Sequence, residues 1–389
     1  MHLARLELTN VRTFPRLDLA LAPGAHLVIG ANASGKSNLL EAIALLATTR
    51  SGRAGGDVDL VSWQALAEEP VPAARLAAQV ETAQGRTELE IAVIAGGAAD
   101  RGIEPTRASR RFRVNGVARR ASDLIGRLRV VLFAAEDLRI VEGPPGLRRR
   151  YLDITLAQLD PTYVRAAQRY ARVLQQRNGL LRLLAARRGK PDELDFWDDE
   201  LASAGAVLIA ARAAALRYLA RDAAERYAEL ASPVEALTIC YRPALPDELR
   251  AAIGEHDLAP RMRSALEAGR RTDIDRGLTR IGPHRDDIAF AIDGRDAGTF
   301  ASRGQQRTIA LALRLAEVTL STSRTGDAPV LLLDDILSEI DAERRRRVLE
   351  AAYGVDQVIL TTPDADRPTP GELPQARRYR LADGKFAPA

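Results

Sequence analysis

From Leu3 to Leu21 apolar and polar residues alternate, with a break at Thr13–Pro15, and that period of two predicts two short strands joined as a hairpin. Pro23 and Gly24 mark the turn that follows. His26–Ile29 is a short apolar run, suited to a buried strand. The period then changes: Leu39, Leu40, Ile43 and Leu46 recur at helical spacing, which predicts a helix over Lys36–Ala47. Two further hairpins are expected, Arg75–Ile94 folding at Gln84-Gly85 and Arg111–Arg119 folding at Asn115-Gly116, a dipeptide that suits a type I′ turn. From Tyr151 to Ala231 the chain is alanine-rich and helix-forming, interrupted at Arg188–Pro191. Its apolar positions keep no strict heptad, so a compact helical hairpin is expected rather than a coiled coil. After a loop-like segment at Pro243–Pro246, Asp287–Thr299 reads as a hairpin about Asp293-Gly294, and helix, strand and helix run on through Glu350.

Composition narrows the class. At 389 residues the chain exceeds one typical domain, and 46% hydrophobic content supports a core. Aromatic residues are 4%, too few for a base-stacking platform. No run of about 18 apolar residues lacks a charge, and Met1–Asn10 includes Arg5 and Glu7, unlike a signal peptide; no membrane association and a cytoplasmic location are expected. The one cysteine, Cys240, excludes an internal disulfide framework and reads as a small buried hydrophobe. Net charge is +4 with a pI near 9.4, which permits a nucleic-acid partner without requiring one.

Chemistry concentrates in three places. Gly30-Ala31-Asn32-Ala33-Ser34-Gly35-Lys36-Ser37 fits G-x-x-x-x-G-K-[ST] and lies between a predicted strand and helix, as a phosphate-binding loop must. In such a loop backbone N–H groups and the helix N-terminus point at phosphates, Lys36 reaches the β and γ phosphates of ATP, and the Ser37 hydroxyl holds Mg2+. Val330–Leu333 is an apolar strand ending in Asp334-Asp335, which would place Asp334 toward Mg2+ and Asp335 to orient or deprotonate the attacking water. A plainer role for Asp335 is to cap the next helix. Between them, Ser302-Arg303-Gly304-Gln305 opens a helix; Ser302 alone would serve as its cap.

The order of these motifs resembles that of ABC ATPases, in which the serine-glycine-glutamine signature binds the γ-phosphate of ATP held by a partner subunit. Ser338-Glu339-Ile340-Asp341 resembles the D-loop of the same superfamily. The resemblance is closer to the RecF family of bacterial recombinational repair proteins, which act with RecO and RecR. It rests on Leu8–Arg12, the P-loop continuing as Asn38–Ala42, Arg50-Ser51-Gly52-Arg53, Glu136-Asp137-Leu138, Arg148–Asp153, Ile281–Asp287 and Leu333–Asp335. It implies an α/β fold, an ABC-ATPase head with a mixed sheet and flanking helices that carries an inserted helical lid subdomain. The head would occupy 1–150, with the P-loop, and 281–389, with signature, Walker B and D-loop; the lid would occupy 151–280. It further implies sequence-independent binding of single- and double-stranded or gapped DNA by an ATP-closed homodimer with slow hydrolysis.

Some residues depart from the family pattern. Ala33-Ser34 stands where glycine and a polar residue are usual, Asp335 replaces the glutamate of most ABC enzymes, and Thr361-Thr362 follows a predicted strand where transporters carry a histidine. Arg165, Arg169 and Arg172 share one helix face, where they would meet DNA phosphates or simply face solvent. Arg50 and Arg53, just past the P-loop helix, would link nucleotide or DNA phosphate to the site. His284 has no second histidine near it in sequence, so a structural or nucleotide-linked loop is expected there rather than a metal site. The competing class is a transporter's ATPase subunit, against which the long helical insertion argues.

Overall fold

The computed structural model describes residues 1–96, 107–231, 235–254, 257–336, 342–352, 354–363, 373, 375–382 and 384–389. The chain divides into two units, one formed by Met1–Asp137 with Arg314–Ala389 and the other by Leu138–Leu313. The first begins with β1 (His2–Val11), β2 (Phe14–Ala20), β3 (Gly24–Ile29), α1 (Lys36–Thr48), α2 (Trp63–Glu68), β4 (Ala73–Thr82), β5 (Gly85–Gly96), β6 (Arg107–Val114), β7 (Val117–Arg119) and β8 (Val130–Phe133). The second holds α3 (Leu138–Glu142), α4 (Pro145–Leu159), α5 (Pro161–Ala185), α6 (Leu194–Leu230), β9 (Leu237–Arg242), α7 (Asp247–Ala251), α8 (Leu258–Arg276), β10 (Asp287–Ile292), β11 (Arg295–Asp296) and α9 (Ala297–Phe300). Helix α10 (Arg303–Thr325) starts in the second unit and ends in the first, which continues with β12 (Val330–Asp334), α11 (Ala342–Ala352), β13 (Gln357–Thr362), β14 (Arg377–Ala382) and β15 (Lys385–Pro388).

Two six-stranded sheets build the first unit. One is antiparallel, in the order β2-β1-β4-β5-β6-β7, and alternation along its strands gives it one buried and one solvated face. The other, β15-β14-β3-β13-β12-β8, is parallel except at β15. Its central strands β12 and β13 are buried at every position, in keeping with the apolar runs Val330–Leu333 and Val358–Leu360 within them. Helix α1 packs against strands of both sheets, and Leu39, Leu40, Ile43, Leu45 and Leu46 are buried in the shared core. A helix covered on two sides needs apolar residues around most of its circumference, as α1 has.

In the second unit Asp160 caps α5, accepting from Thr162 N at 2.7 Å with Pro161 at the first helical position. The break between α5 and α6 falls at 186–193, with Arg187 and Gly189 at positive φ. Helix α6 carries an 18-residue window of mean hydropathy 1.3, long and apolar enough by composition to cross a membrane. Half of that window is buried within the protein, as in a core helix.

Several expectations are corrected. The Asp287–Thr299 hairpin is truncated: β11 has two residues, because the Asp296 carboxylate accepts Thr299 N at 2.9 Å and starts α9 instead. Cys240 is exposed, since β9 is an edge strand that turns Leu237 and Ile239 inward and the alternate residues Thr238 and Cys240 outward. Strands β8, β9, β14 and β15 arise where no element was expected.

Candidate nucleotide-binding site

The carboxyl ends of β3, β13 and β12 meet at one edge of the parallel sheet, the edge where open α/β sheets bind ligands. The loop Gly30–Ser37 leaves β3 there and enters α1 through Gly35, whose φ of 102° a side chain rarely adopts. A Cβ on Gly35 would also lie 2.6 Å from Thr13 Oγ1, so the β1–β2 turn has closed against the loop. Ala33 sits at φ 65°, the left-handed region, which accounts for glycine being usual at this point of the loop.

Lys36 is buried, and its ammonium donates to Gly30 O at 2.6 Å and Ala31 O at 2.9 Å. Burial pushes its pKa down, opposed by the charges of Asp335 and Asp334. No carboxylate lies within ion-pair distance of it among the described residues. Ser34 Oγ is likewise buried without a hydrogen-bond partner among them. A buried cation held only by carbonyls, beside an orphan hydroxyl, fits a loop that receives an anion.

Ser37 Oγ donates to Asp334 Oδ1 at 3.0 Å, so the P-loop and the end of β12 are joined as the sequence pattern requires. The Thr361 hydroxyl donates to the same Oδ1 at 2.9 Å. Asp335 has φ 52°, and its backbone N–H donates to Thr361 Oγ1 at 3.1 Å. An oxygen-only set of a hydroxyl and a buried carboxylate suits Mg2+. Arg53 Nη2 donates to Asp334 Oδ2 at 3.1 Å and to Glu136 Oε1 at 2.9 Å. Thus Arg53 faces carboxylates, whereas the side chain of Arg50 is exposed.

Ser302 and Gln305 form a reciprocal cap at the start of α10: Gln305 N donates to Ser302 Oγ at 3.2 Å, and Ser302 N to Gln305 Oε1 at 2.8 Å. Gln305 Nε2 also reaches Glu235 at 2.9 Å. Ser302, Arg303 and Gly304 are exposed, and a Cβ at Gly304 would meet nothing closer than Ser302 Oγ at 3.9 Å. The D-loop candidate, Ser338–Asp341, lies outside the described residues.

The Ile281–Asp287 loop is held by buried polar contacts within the second unit. Arg212 donates to Pro283 O at 2.6 Å and Asp286 Oδ2 at 2.9 Å, and Arg148 pairs with Asp287 at 2.6 Å. Gly282, at φ 120°, lets Tyr170 approach: a Cβ there would be 2.5 Å from the phenol oxygen. Tyr170 donates to His284 Nδ1 at 2.7 Å and His284 Nε2 donates to Thr279 O at 3.1 Å, a neutral tautomer. Burial pushes the His284 pKa down to about 4. On α5, Arg165, Arg169 and Arg172 are all exposed, and Arg169 forms a two-pronged pair with Glu200 at 2.7 and 2.5 Å.

The RecF/RecN/SMC N-terminal domain family matches residues 2–367. Over 391 residues the chain is 46% identical to the DNA replication and repair protein RecF of Chloroflexus aurantiacus, covering 99% of both chains. The chain belongs to the RecF family. It is also 34% identical to the RecF protein of Geobacillus thermodenitrificans, covering 100% of this chain and 99% of that one. Among solved structures it is similar to the recombination mediator protein RecF-ATP in the RecFOR pathway, with a TM-score of 0.85 and 28% identity, covering 100% of this chain and 97% of the other. An Smc head bound to the C-winged helix domain of ScpA shares the fold at a TM-score of 0.53 and 16% identity, covering 100% of this chain and 97% of that one. The fold is therefore that of the ABC/SMC-like ATPases.

Proposed function

We propose that this chain is an ATP-dependent DNA-binding protein of recombinational repair and replication-fork maintenance, which closes as a homodimer around two ATP molecules and reopens on slow hydrolysis. The buried Lys36 ammonium, satisfied only by loop carbonyls, is the observation that carries the ATP-binding half of this reading. In it, the P-loop N–H groups of Gly30–Ser37 cradle phosphates and Lys36 turns from Gly30 and Ala31 to the β and γ phosphates. Ser37 and Asp334 hold Mg2+, which supplies charge neutralisation during phosphoryl transfer. Asp335 orients water; with one methylene less than glutamate it reaches less far, in keeping with a slow switch.

In a two-fold dimer each site takes its P-loop from one copy and Ser302, Gly304 and Gln305 from the other. Exposure of Ser302 and Gly304, and the open space at Gly304, support that use. Arg50, Arg165, Arg169 and Arg172 are the proposed contacts to DNA phosphates, which would give binding without sequence preference to single- and double-stranded or gapped DNA. RecR and RecO are the proposed protein partners, in keeping with the RecFOR pathway of the similar structure.

Mixing Lys36→Ala with Ser302→Arg tests the shared site, since their heterodimer contains one intact site and one doubly broken one. Partial recovery of hydrolysis, with ATP-dependent dimer mass in the same sample, is the expected result. A wild-type chain that stays monomeric with ATP and DNA, while Ser302→Arg hydrolyses at the normal rate, leaves Ser302 as a helix cap only.

A further inference from the structure

Asp334 accepts from two hydroxyls and one guanidinium. Ser37 and Thr361 both use Oδ1, while Oδ2 is held by Arg53. A carboxylate offers about four lone-pair sites, so the free acceptor capacity of Asp334 lies mainly at the oxygen that Arg53 holds. The Ser37–Asp334 bond is compatible with a metal bound at Ser37, because that hydroxyl keeps its lone pairs. The Arg53 contact is less so, since it places a positive charge where a second cation must be received.

Arg53 is built to let go. Its backbone is fixed, with Arg53 N and Ala54 N both donating to Ser51 Oγ at 3.0 and 2.7 Å. Its side chain is 35% exposed, and Glu136 beside it is 53% exposed. The Nε of Arg53 donates to Glu136 Oε1 at 3.1 Å, and Nη2 divides itself between Glu136 and Asp334. When Nη2 leaves Asp334, the guanidinium stays tethered to Glu136.

We propose that Arg53 competes with Mg2+ for Asp334 and so sets how much of the metal the nucleotide site requires, with Glu136 as the place to which the guanidinium withdraws. This inference rests on the reading of Ser37 and Asp334 as the Mg2+ site. Arg53 is a specificity-determining residue in this scheme and not a catalytic one.

Binding of a fluorescent ATP analogue to the full chain, titrated with magnesium chloride without DNA, gives a readout independent of turnover. Arg53→Met keeps the length of the side chain and removes its charge, so the half-saturating Mg2+ concentration should fall about threefold to tenfold. Binding in EDTA should be unchanged, and Arg53→Lys, which keeps the charge, should shift less. Glu136→Gln removes the charge that draws the guanidinium away and should raise the requirement. An unchanged Mg2+ requirement in Arg53→Met reduces the pair to a structural contact, and a raised one makes Arg53 a ligand of the loaded site; either overturns the proposal. A wild-type chain that binds no nucleotide at any Mg2+ concentration overturns the ATP-site reading itself, and this inference with it.

Discussion

Asp334 and Thr361 are paired across adjacent parallel strands, and the Thr361 hydroxyl reaches Asp334 Oδ1 at 2.9 Å. The same hydroxyl oxygen accepts the Asp335 N–H at 3.1 Å. One buried side chain therefore orients the first of two acidic residues and fixes the backbone of the second, which is bent into the left-handed region at φ 52°.

Thr361→Val keeps the shape and removes both bonds. It takes the hydroxyl acceptor from the part-buried Asp335 N–H, so stability should fall by about 1–3 kcal/mol. ATP turnover should fall by about tenfold to a hundredfold, with nucleotide affinity changed less than about threefold, because in the proposed site the affected groups would act on water and metal rather than on the phosphate cradle. Thr361→Ser should restore most of the rate. Turnover and binding measured on the three proteins check this, and a Val variant as fast as wild type refutes the positioning role.

Ala33 offers a test of strain in the P-loop. Alanine at φ 65° costs about 1–2 kcal/mol relative to the right-handed region, a cost glycine avoids. Ala33→Gly also makes the unfolded chain more flexible, which offsets part of the gain. The expected net effect is neutral to about 1 kcal/mol stabilising, where most Ala→Gly changes destabilise. Urea midpoints of the two proteins decide it.

His284 gives the protein a pH dependence. In the fold its pKa is near 4, below its ordinary 6.5, because burial disfavours the charged ring and Arg285 and Arg149 add to that against Asp286. The unfolded chain therefore binds a proton in this window that the folded chain does not. This contribution to stability is fully present above pH 6.5 and is lost as pH falls toward 4. Between pH 7.5 and pH 5 the loss should be about 2 kcal/mol. Denaturant titrations at both values should show a smaller drop for His284→Gln than for wild type.

The arginine face on α5 predicts a salt dependence. Replacing Arg165, Arg169 and Arg172 by alanine should lower the magnitude of the log–log salt slope of DNA binding by up to about three. Arg169 must first leave Glu200, so Arg169→Ala alone should change affinity least. Equilibrium binding from low to high salt measures both, and an unaltered slope assigns the face to solvent.

The strand–loop–helix around Lys36 was legible because its signals are local: a short apolar run, glycines at fixed spacing, then a helical period. The pair Asp334-Asp335 was legible for the same reason. Arg53 as a partner of Asp334 was not, since the two lie 281 residues apart and only the fold joins them. Thr361 stands out in the sequence only by resemblance, and its hydroxyl bonds follow from a strand register that the sequence does not display. Strands β14 and β15 are not legible because they alternate weakly and β15 closes the sheet at its edge. The spacing of Arg165, Arg169 and Arg172 was visible, but not Glu200 on a different helix.

Strand β13 lies between β3 and β12, so the sheet edge that carries the P-loop is completed only by a segment ending at Thr362. On a ribosome adding about 5–20 residues each second, the loop at 30–37 emerges tens of seconds before its neighbours exist. The antiparallel sheet can pair earlier, because its strands all fall within the first 119 residues. Nascent chains would thus acquire a folded platform long before they acquire any affinity for nucleotide, and a chain halted before residue 357 would be unable to load ATP however complete its Gly30–Ser37 loop.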